Sequence, residues 1–171
     1  MFFELGPRVY NGYIDYIPYE PSDTPSVNSQ SIDQLHQHLL PLNEPISVDT
    51  TTSKWRRIQG PFAHVLITSK ASISKDVIAS SRSTLADGFL TLQFIRIDNS
   101  VRSNLMKVFT KLSDGKHFDY DFVEWMPIQA FRIVPTETNG NLMVDGEKVP
   151  YGKILNKKIN RLIKEILYLN I

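Results

Sequence analysis

The sequence predicts a mainly β domain, most simply a two-layer antiparallel β-sandwich with one or two helices, in a lid region and in the middle of the chain. Three observations predict it. Short β-branched and aromatic stretches recur, among them Tyr13 to Ile17, Phe62 to Thr68 and Phe89 to Ile97. Turn chemistry stands between such stretches, as Asn11-Gly12, Asp87-Gly88, Asn139-Gly140 and Asp145-Gly146. One clear helical period runs from Val101 to Leu112.

Taken in order, Arg8 to Tyr10 and Tyr13 to Ile17 flank Asn11-Gly12, the strongest short-range hairpin signal in the chain. Pro18 stops the second strand. Residues 19–53 turn to Pro, Ser, Thr, Asp and Asn and read as loops, with a short extended piece from Leu35 to Ile46. Phe62 to Thr68 is a continuous apolar run, which fits a buried strand. Ser69 to Leu85 is polar and small, with a weak helical pattern in Ile73, Val77 and Ile78.

In Phe89 to Ile97, Leu90, Leu92 and Phe94 alternate with Thr91 and Gln93, predicting one packed face and one wetter face. Ser100 is positioned to cap the helix over 101–112, whose apolar positions are Val101, Leu105, Val108, Phe109 and Leu112. Gly115 suits its end. Strands are expected at Phe118 to Met126 and Gln129 to Val134, separated by Pro127. Then come Leu142 to Val144 and the glycine-flanked acidic segment Asp145-Gly146-Glu147. Residues 153–171 form a Lys-rich segment that reads as an amphipathic helix or a final strand.

Composition narrows the classes of function. At 171 residues, with 42% apolar and 22% charged, one domain with a sizeable core is expected. With 19 Lys+Arg against 18 Asp+Glu the net charge is +1, which argues against nucleic acid as a partner and against broad binding to an anionic membrane. The absence of cysteine excludes a disulfide framework, a thiolate zinc site and a cysteine nucleophile. No apolar run is long enough to span a bilayer and Met1 to Leu5 lacks signal-peptide character, so a cytoplasmic protein is expected.

Candidate chemistry is sparse. There is no Walker or Rossmann phosphate loop and no Gly-x-Ser-x-Gly elbow. His36 and His38 would share a strand face, but no third ligand stands nearby, so no metal site is expected. His64 reads as a core or edge histidine, and His117 as a turn histidine or a partner for a polar ligand group. Asp87, Asp145 and Glu147 are carboxylates beside glycines, open to acid–base or hydrolytic chemistry or to a metal–nucleotide complex.

Several motifs in one order add to this. They are Tyr10-Asn11-Gly12-Tyr13-Ile14-Asp15-Tyr16-Ile17-Pro18, His38-Leu39-Leu40-Pro41-Leu42-Asn43-Glu44-Pro45 and Ala86-Asp87-Gly88. Gly115-Lys116-His117-Phe118-Asp119-Tyr120, Pro127-Ile128-Gln129-Ala130-Phe131-Arg132-Ile133 and Val144-Asp145-Gly146-Glu147 follow. Through them the stretch from about Val9 to about Gly152 resembles the C-terminal domain of sphingosine kinases, within the diacylglycerol kinase-like lipid kinases.

The resemblance implies a two-domain enzyme that phosphorylates a sphingoid base with ATP and Mg2+. The nucleotide half, with its Gly-Gly-Asp-Gly-Thr loop, has no counterpart in these residues and would be a required partner. Asp145, Gly146 and Glu147 match the segment that completes the ATP site; Glu147 is a secondary candidate for catalytic base. Ile73 and Val77 match lid residues, Phe109 an aromatic on the middle helix, His117 the histidine of a Gly-basic-His motif, and Val123 a strand leucine, all lining a lipid slot. Peripheral membrane contact would follow from a lipid substrate. The alternative is a non-catalytic lipid-binding sandwich that has lost the kinase half.

Overall fold

The computed structural model describes residues 9–20, 54–81, 89–138, 140–144, 146–151, 154–157 and 166–169. The expected loops from residue 21 to 53, the His36–His38 pair, Asp87 and Asp145 lie outside the described residues. The described part is mainly β and antiparallel, a β-sandwich with one α-helix.

β1 (Gly12–Pro18) pairs with β2 (Arg56–Gln59), with Ile14 opposite Ile58. The chain then turns through Gly60 and Pro61 into β3 (Phe62–Thr68), which pairs with β6 (Leu90–Arg96), Val65 opposite Phe94. β7 (Glu124–Pro135) serves both regions. Its first half pairs with β6, while its second half lies between β1 and β10 (Ile154–Lys157). A twisted strand of 12 residues leaves one layer and enters the other. Two backbone bonds between Tyr10 and Phe62, 2.8 and 2.9 Å, join the start of β1 to the start of β3. The two layers are therefore one bent, hydrogen-bonded sheet rather than two separate ones.

The remaining strands extend the β3 side. β11 (Ile166–Leu169) pairs with β3 and with β8 (Leu142–Val144), and β8 pairs with β9 (Glu147–Val149). The Lys-rich tail thus supplies β10 and β11, two strands of the sheet.

Inside the sandwich, Ile14, Val65, Leu92, Phe94 and Ile128 are fully buried, with Phe62 set edge-on to Phe94 at 6.0 Å. Each large apolar side chain removed from water contributes about 1.5–3 kcal/mol. A charged row lies on the opposite face of β1, β2 and β7. Asp15, 0% exposed, accepts from Arg57 Nε at 2.6 Å and from Arg132 Nε at 3.0 Å, the partners directly opposite it on β2 and β7. Both carboxylate oxygens are engaged, which lets a charge remain buried.

Several sequence expectations change locally. Asn11-Gly12 is not a hairpin turn; Gly12 (φ +153) is the kink between the Tyr10 bridge and β1. A Cβ there would lie 2.4 Å from the Val134 carbonyl oxygen, so glycine is required by close approach. Phe118 belongs to a short 3₁₀ helix (Lys116–Asp119), and the two strands expected around Pro127 are the single β7. Pro127 is tolerated because its carbonyl, and hence its nitrogen, faces the end of β1, where the oxygen accepts the Tyr19 N–H at 3.1 Å. The helix α1 (Asn99–Thr110) is capped by Asp98, whose Oδ1 accepts the Val101 N–H at 2.8 Å, and the expected cap position, Ser100, lies within the helix. The lid expected to be helical around Ile73 and Val77 is a two-stranded hairpin, β4 (Ser72–Ser74) and β5 (Val77–Ile78). Its β-branched residues and the Ser72 Oγ bond to the Val77 carbonyl (3.1 Å) favour that form.

Candidate functional site

β3 is buried at every position, because both faces of the β3–β6 pair are covered. One face meets the sandwich interior. The other carries His64, Leu66 and Thr68 from β3 and Thr91, Gln93 and Ile95 from β6, by the alternation of the registered pairs. Thr91 and Gln93 are each only 1% exposed, so the wetter face that alternation predicts is absent. What covers it is a cap formed by the β4–β5 hairpin, α1 and the 3₁₀ helix.

The cap is built from predictable helix chemistry and a less predictable closure. Val101, Leu105 and Val108 pack onto Ala63 and Ile95 at helical spacing. The Ile78 N–H donates to the Leu112 carbonyl at 2.9 Å, tying the hairpin to the end of the helix. Gly115 (φ +70) follows, and a Cβ on it would sit 3.1 Å from both Ile78 Cγ2 and Ser81 Cβ. Only glycine combines that backbone with that approach.

The predicted lipid-side residues fall in this cap. Ile73 is half-buried and packs on Leu66 and Ala79. Val77 is half-buried on the same hairpin. Phe109 is 36% exposed, its ring edge-on to His64 at 6.4 Å. Val123 is buried beside Phe118 and Val108. His117 is not a surface histidine. It is fully buried, its ring tilted 38° to that of Phe118 with centroids 4.2 Å apart, and it places Nε2 3.2 Å from Gln93 Oε1.

The electrostatics of this face are those of neutral polar groups. Burial, with a smaller contribution from His117, pushes the His64 imidazole down to about 4. Burial also lowers His117, opposed by the nearby carbonyls of Ala79 and Lys111 and by Asp114 and Asp119. Those carbonyls favour the charged ring without closing a well-formed bond to its Nδ1.

The acidic segment has a different setting. In the β8–β9 hairpin Val144 lies opposite Glu147, with Gly146 in the connection between them. Gly146 has φ +87, as a tight turn of this kind requires, and Glu147 is exposed. Val144 is level with Leu167, and Leu167 with Ile67, so the turn projects past the end of β3. The chain enters the β4–β5 hairpin from that same end. The sheet thus brings the acidic turn and the cap to one rim, with β3 and β8 two strand spacings apart, about 10 Å.

His64 is buried, as its reading as a core or edge histidine expects, whereas sequence reasoning missed the participation of Gln93 and the full burial of His117 against it. The available signal was Gln93, with Thr91, between apolar residues of one strand, which alternation alone assigned to water.

By sequence, the chain that carries this antiparallel β body is similar to a class of lipid kinases. The chain is 31% identical to "Sphingosine kinase B" of Dictyostelium discoideum over 115 residues, 66% of this chain and 15% of that protein. It is 29% identical to "Sphingosine kinase 1" of Mus musculus over 152 residues, 85% of this chain and 38% of that protein. It is 32% identical to "Sphingosine kinase 2" of Homo sapiens over 120 residues, 68% of this chain and 17% of that protein. The chain is a sphingosine kinase-like region of the lipid kinase family. Its matched part spans well under half the length of these relatives. No protein-family model matches it. Among the described residues no helix is long and apolar enough to cross a membrane.

Proposed function

We propose that this chain is the lipid-binding, C-terminal half of a sphingosine kinase-like enzyme that, when complete, transfers the γ-phosphoryl of ATP with Mg2+ to a sphingoid base. The observation that carries it is the joint placement of Ile73, Val77, Phe109, His117 and Val123 in one cap over one sheet face, in a chain similar to sphingosine kinases. In this reading the alkyl chain lies between the β4–β5 hairpin, α1 and β3–β6, where each methylene taken from water contributes about 0.8 kcal/mol. Asp145, Gly146 and Glu147 close the nucleotide side from the rim. Glu147, exposed at the turn, orients the nucleotide and is a secondary candidate for the base that receives the lipid hydroxyl's proton. Phosphoryl transfer of this type is mainly positioning and charge stabilisation, supplied largely by the nucleotide half.

The test pairs this chain with a separately expressed nucleotide-binding domain carrying Gly-Gly-Asp-Gly-Thr, then supplies ATP, Mg2+ and sphingosine. Phosphorylated sphingosine that requires both proteins supports the reading. Sphingosine binding by this chain with no phosphate transfer in the mixture supports the alternative, a non-catalytic lipid-binding sandwich. Absence of both refutes the lipid assignment.

A further inference from the structure

The charged row on β1, β2 and β7 is out of balance. Asp15 stands level with Arg57 on one neighbouring strand and Arg132 on the other, so one carboxylate serves two guanidinium groups. Arg57 donates to it from Nε and Nη2, at 2.6 and 3.1 Å, and Arg132 donates from its own Nε and Nη2. Among the described residues neither arginine has a second ion-pair partner. The other positions registered on that face, Tyr13, Ile17, Gln59, Ala130 and Val134, bring no second carboxylate. The row therefore holds one positive charge in excess. Arg132 is buried with it, while the Arg57 side chain is 34% exposed and opens the row to solvent. A buried charge lacking its counter-charge is costly, so the row favours an anion that reaches it past Arg57.

The geometry is prepared for such an anion. Arg132 Nε and Arg57 Nη2 donate to the same oxygen, Asp15 Oδ2, at 3.0 and 3.1 Å, so these two nitrogens lie within about 6 Å of each other. A guanidinium has five N–H donors, and Asp15 engages only the Nε and Nη2 edge of each, leaving both Nη1 ends uncommitted to it. The Arg57 guanidinium lies over the Tyr13 ring, 3.7 Å from its centroid, which fixes it without using an N–H. Two forks already held in place lose little side-chain freedom when a ligand arrives. The donors also select its chemistry. A phosphate group offers three acceptor oxygens and a charge of about −1.5 to −2 at neutral pH, enough to engage both forks and exceed the surplus. A carboxylate offers two oxygens, which suit one fork, and a single charge.

We infer that Arg57 and Arg132 form a phosphate-binding site on the outer face of β1, β2 and β7. Its ligand is the phosphate group of a small solute, either free phosphate or a phosphomonoester. Arg57 is the accessible arm and Arg132 the buried one, and Asp15 positions both. The site lies on a different sheet face from the cap, which covers β3 and β6, so it stands independently of the lipid-binding reading.

The experiment titrates inorganic phosphate with the full chain at constant ionic strength and follows the phosphorus NMR linewidth, then measures the melting temperature over a phosphate series. Phosphate stabilises folded proteins in general by exclusion from their surface, so the melting result is read as the difference from Arg57→Gln. The unaltered chain should broaden the phosphorus signal saturably and show a melting-temperature rise that levels off as the site fills. Arg57→Gln should lose both, while circular dichroism reports a retained fold because the Asp15–Arg132 pair remains. Arg57→Lys keeps the charge without the fork and should bind phosphate more weakly than the unaltered chain. Arg56→Gln removes an exposed cation one residue away, on the other face by alternation, and should bind phosphate as before. Methyl phosphate should displace phosphate, and acetate at the same concentration should not. Absence of saturable broadening with the unaltered chain overturns the site, whatever the variants do. Equal losses in Arg56→Gln and Arg57→Gln, or displacement by acetate as readily as by methyl phosphate, also overturn it, by reducing it to general attraction between a basic edge and anions.

Discussion

Acidification should destabilise this protein through His64, and the size of the effect can be worked out. The unfolded chain's imidazole titrates near 6.5, whereas burial holds His64 in the folded chain down to about 4. Between those values the unfolded state binds the proton and the folded state does not, so stability is complete above 6.5 and falls as pH falls towards 4. The linkage relation gives a loss of about 2 kcal/mol by pH 5 and about 3 kcal/mol by pH 4 from this group alone. His117, lowered in the same direction by burial, adds to the same limb. The perturbation is His64→Leu, which keeps the volume beside the Phe109 ring and removes the titrating group. Urea unfolding of both proteins, followed by the fluorescence of Trp55 and Trp125, is compared at pH 7.5, 6, 5 and 4.5. Contributions common to the two proteins cancel in the difference. The variant's advantage should widen by about 2 kcal/mol between pH 7.5 and 5. Parallel stability curves, or an advantage that widens only above pH 7, would refute the assignment of a buried neutral His64.

Other perturbations probe the frame that holds the site. Asp15→Ala leaves Arg132 buried at 4% exposure without its carboxylate and should cost about 3–5 kcal/mol, read as a lower urea midpoint or loss of soluble protein. Replacing Asp15 and Arg132 together by leucines should recover a large part of that loss, because no buried charge then lacks a partner. Gly12→Ala places a Cβ 2.4 Å from the Val134 carbonyl and should destabilise by about 1–3 kcal/mol, measured by thermal unfolding. Asp98→Ala removes the cap on the Val101 N–H and should cost about 1 kcal/mol, with hydrogen exchange rising first at the start of α1.

Much of the β architecture was legible because its signals are local. The β-branched run at Phe62 to Thr68, the alternation from Leu90 to Phe94 and the helical period of Val101, Leu105 and Val108 each correspond to an element. What was illegible depends on distant partners. Asn11-Gly12 carries hairpin chemistry, but Gly12 is fixed by Val134 and by the Tyr10–Phe62 bridge, contacts that no local window contains. Asp15, Arg57 and Arg132 form one row only because three strands meet in that register. Gln93 was assigned to water because alternation reports that a face differs from its opposite, not what lies over it. The cap comes from segments before and after β6, and its closure through Ile78, Leu112 and Gly115 leaves no periodic trace. The acidic turn was visible as Asp-Gly, while its position at the rim follows from the pairing of β11 with β3 and β8.

The place of β11 also bears on how the sheet is completed. It lies between β3 and β8, yet follows both in the chain, and it meets β3 across about a hundred residues of intervening sequence. During synthesis the acidic hairpin emerges from the ribosome before the strand that seats it. A trimmed or tagged tail would therefore disturb the rim first and the sandwich interior last, so expression designs that alter residues 166–169 put the β8–β9 hairpin at risk ahead of overall folding.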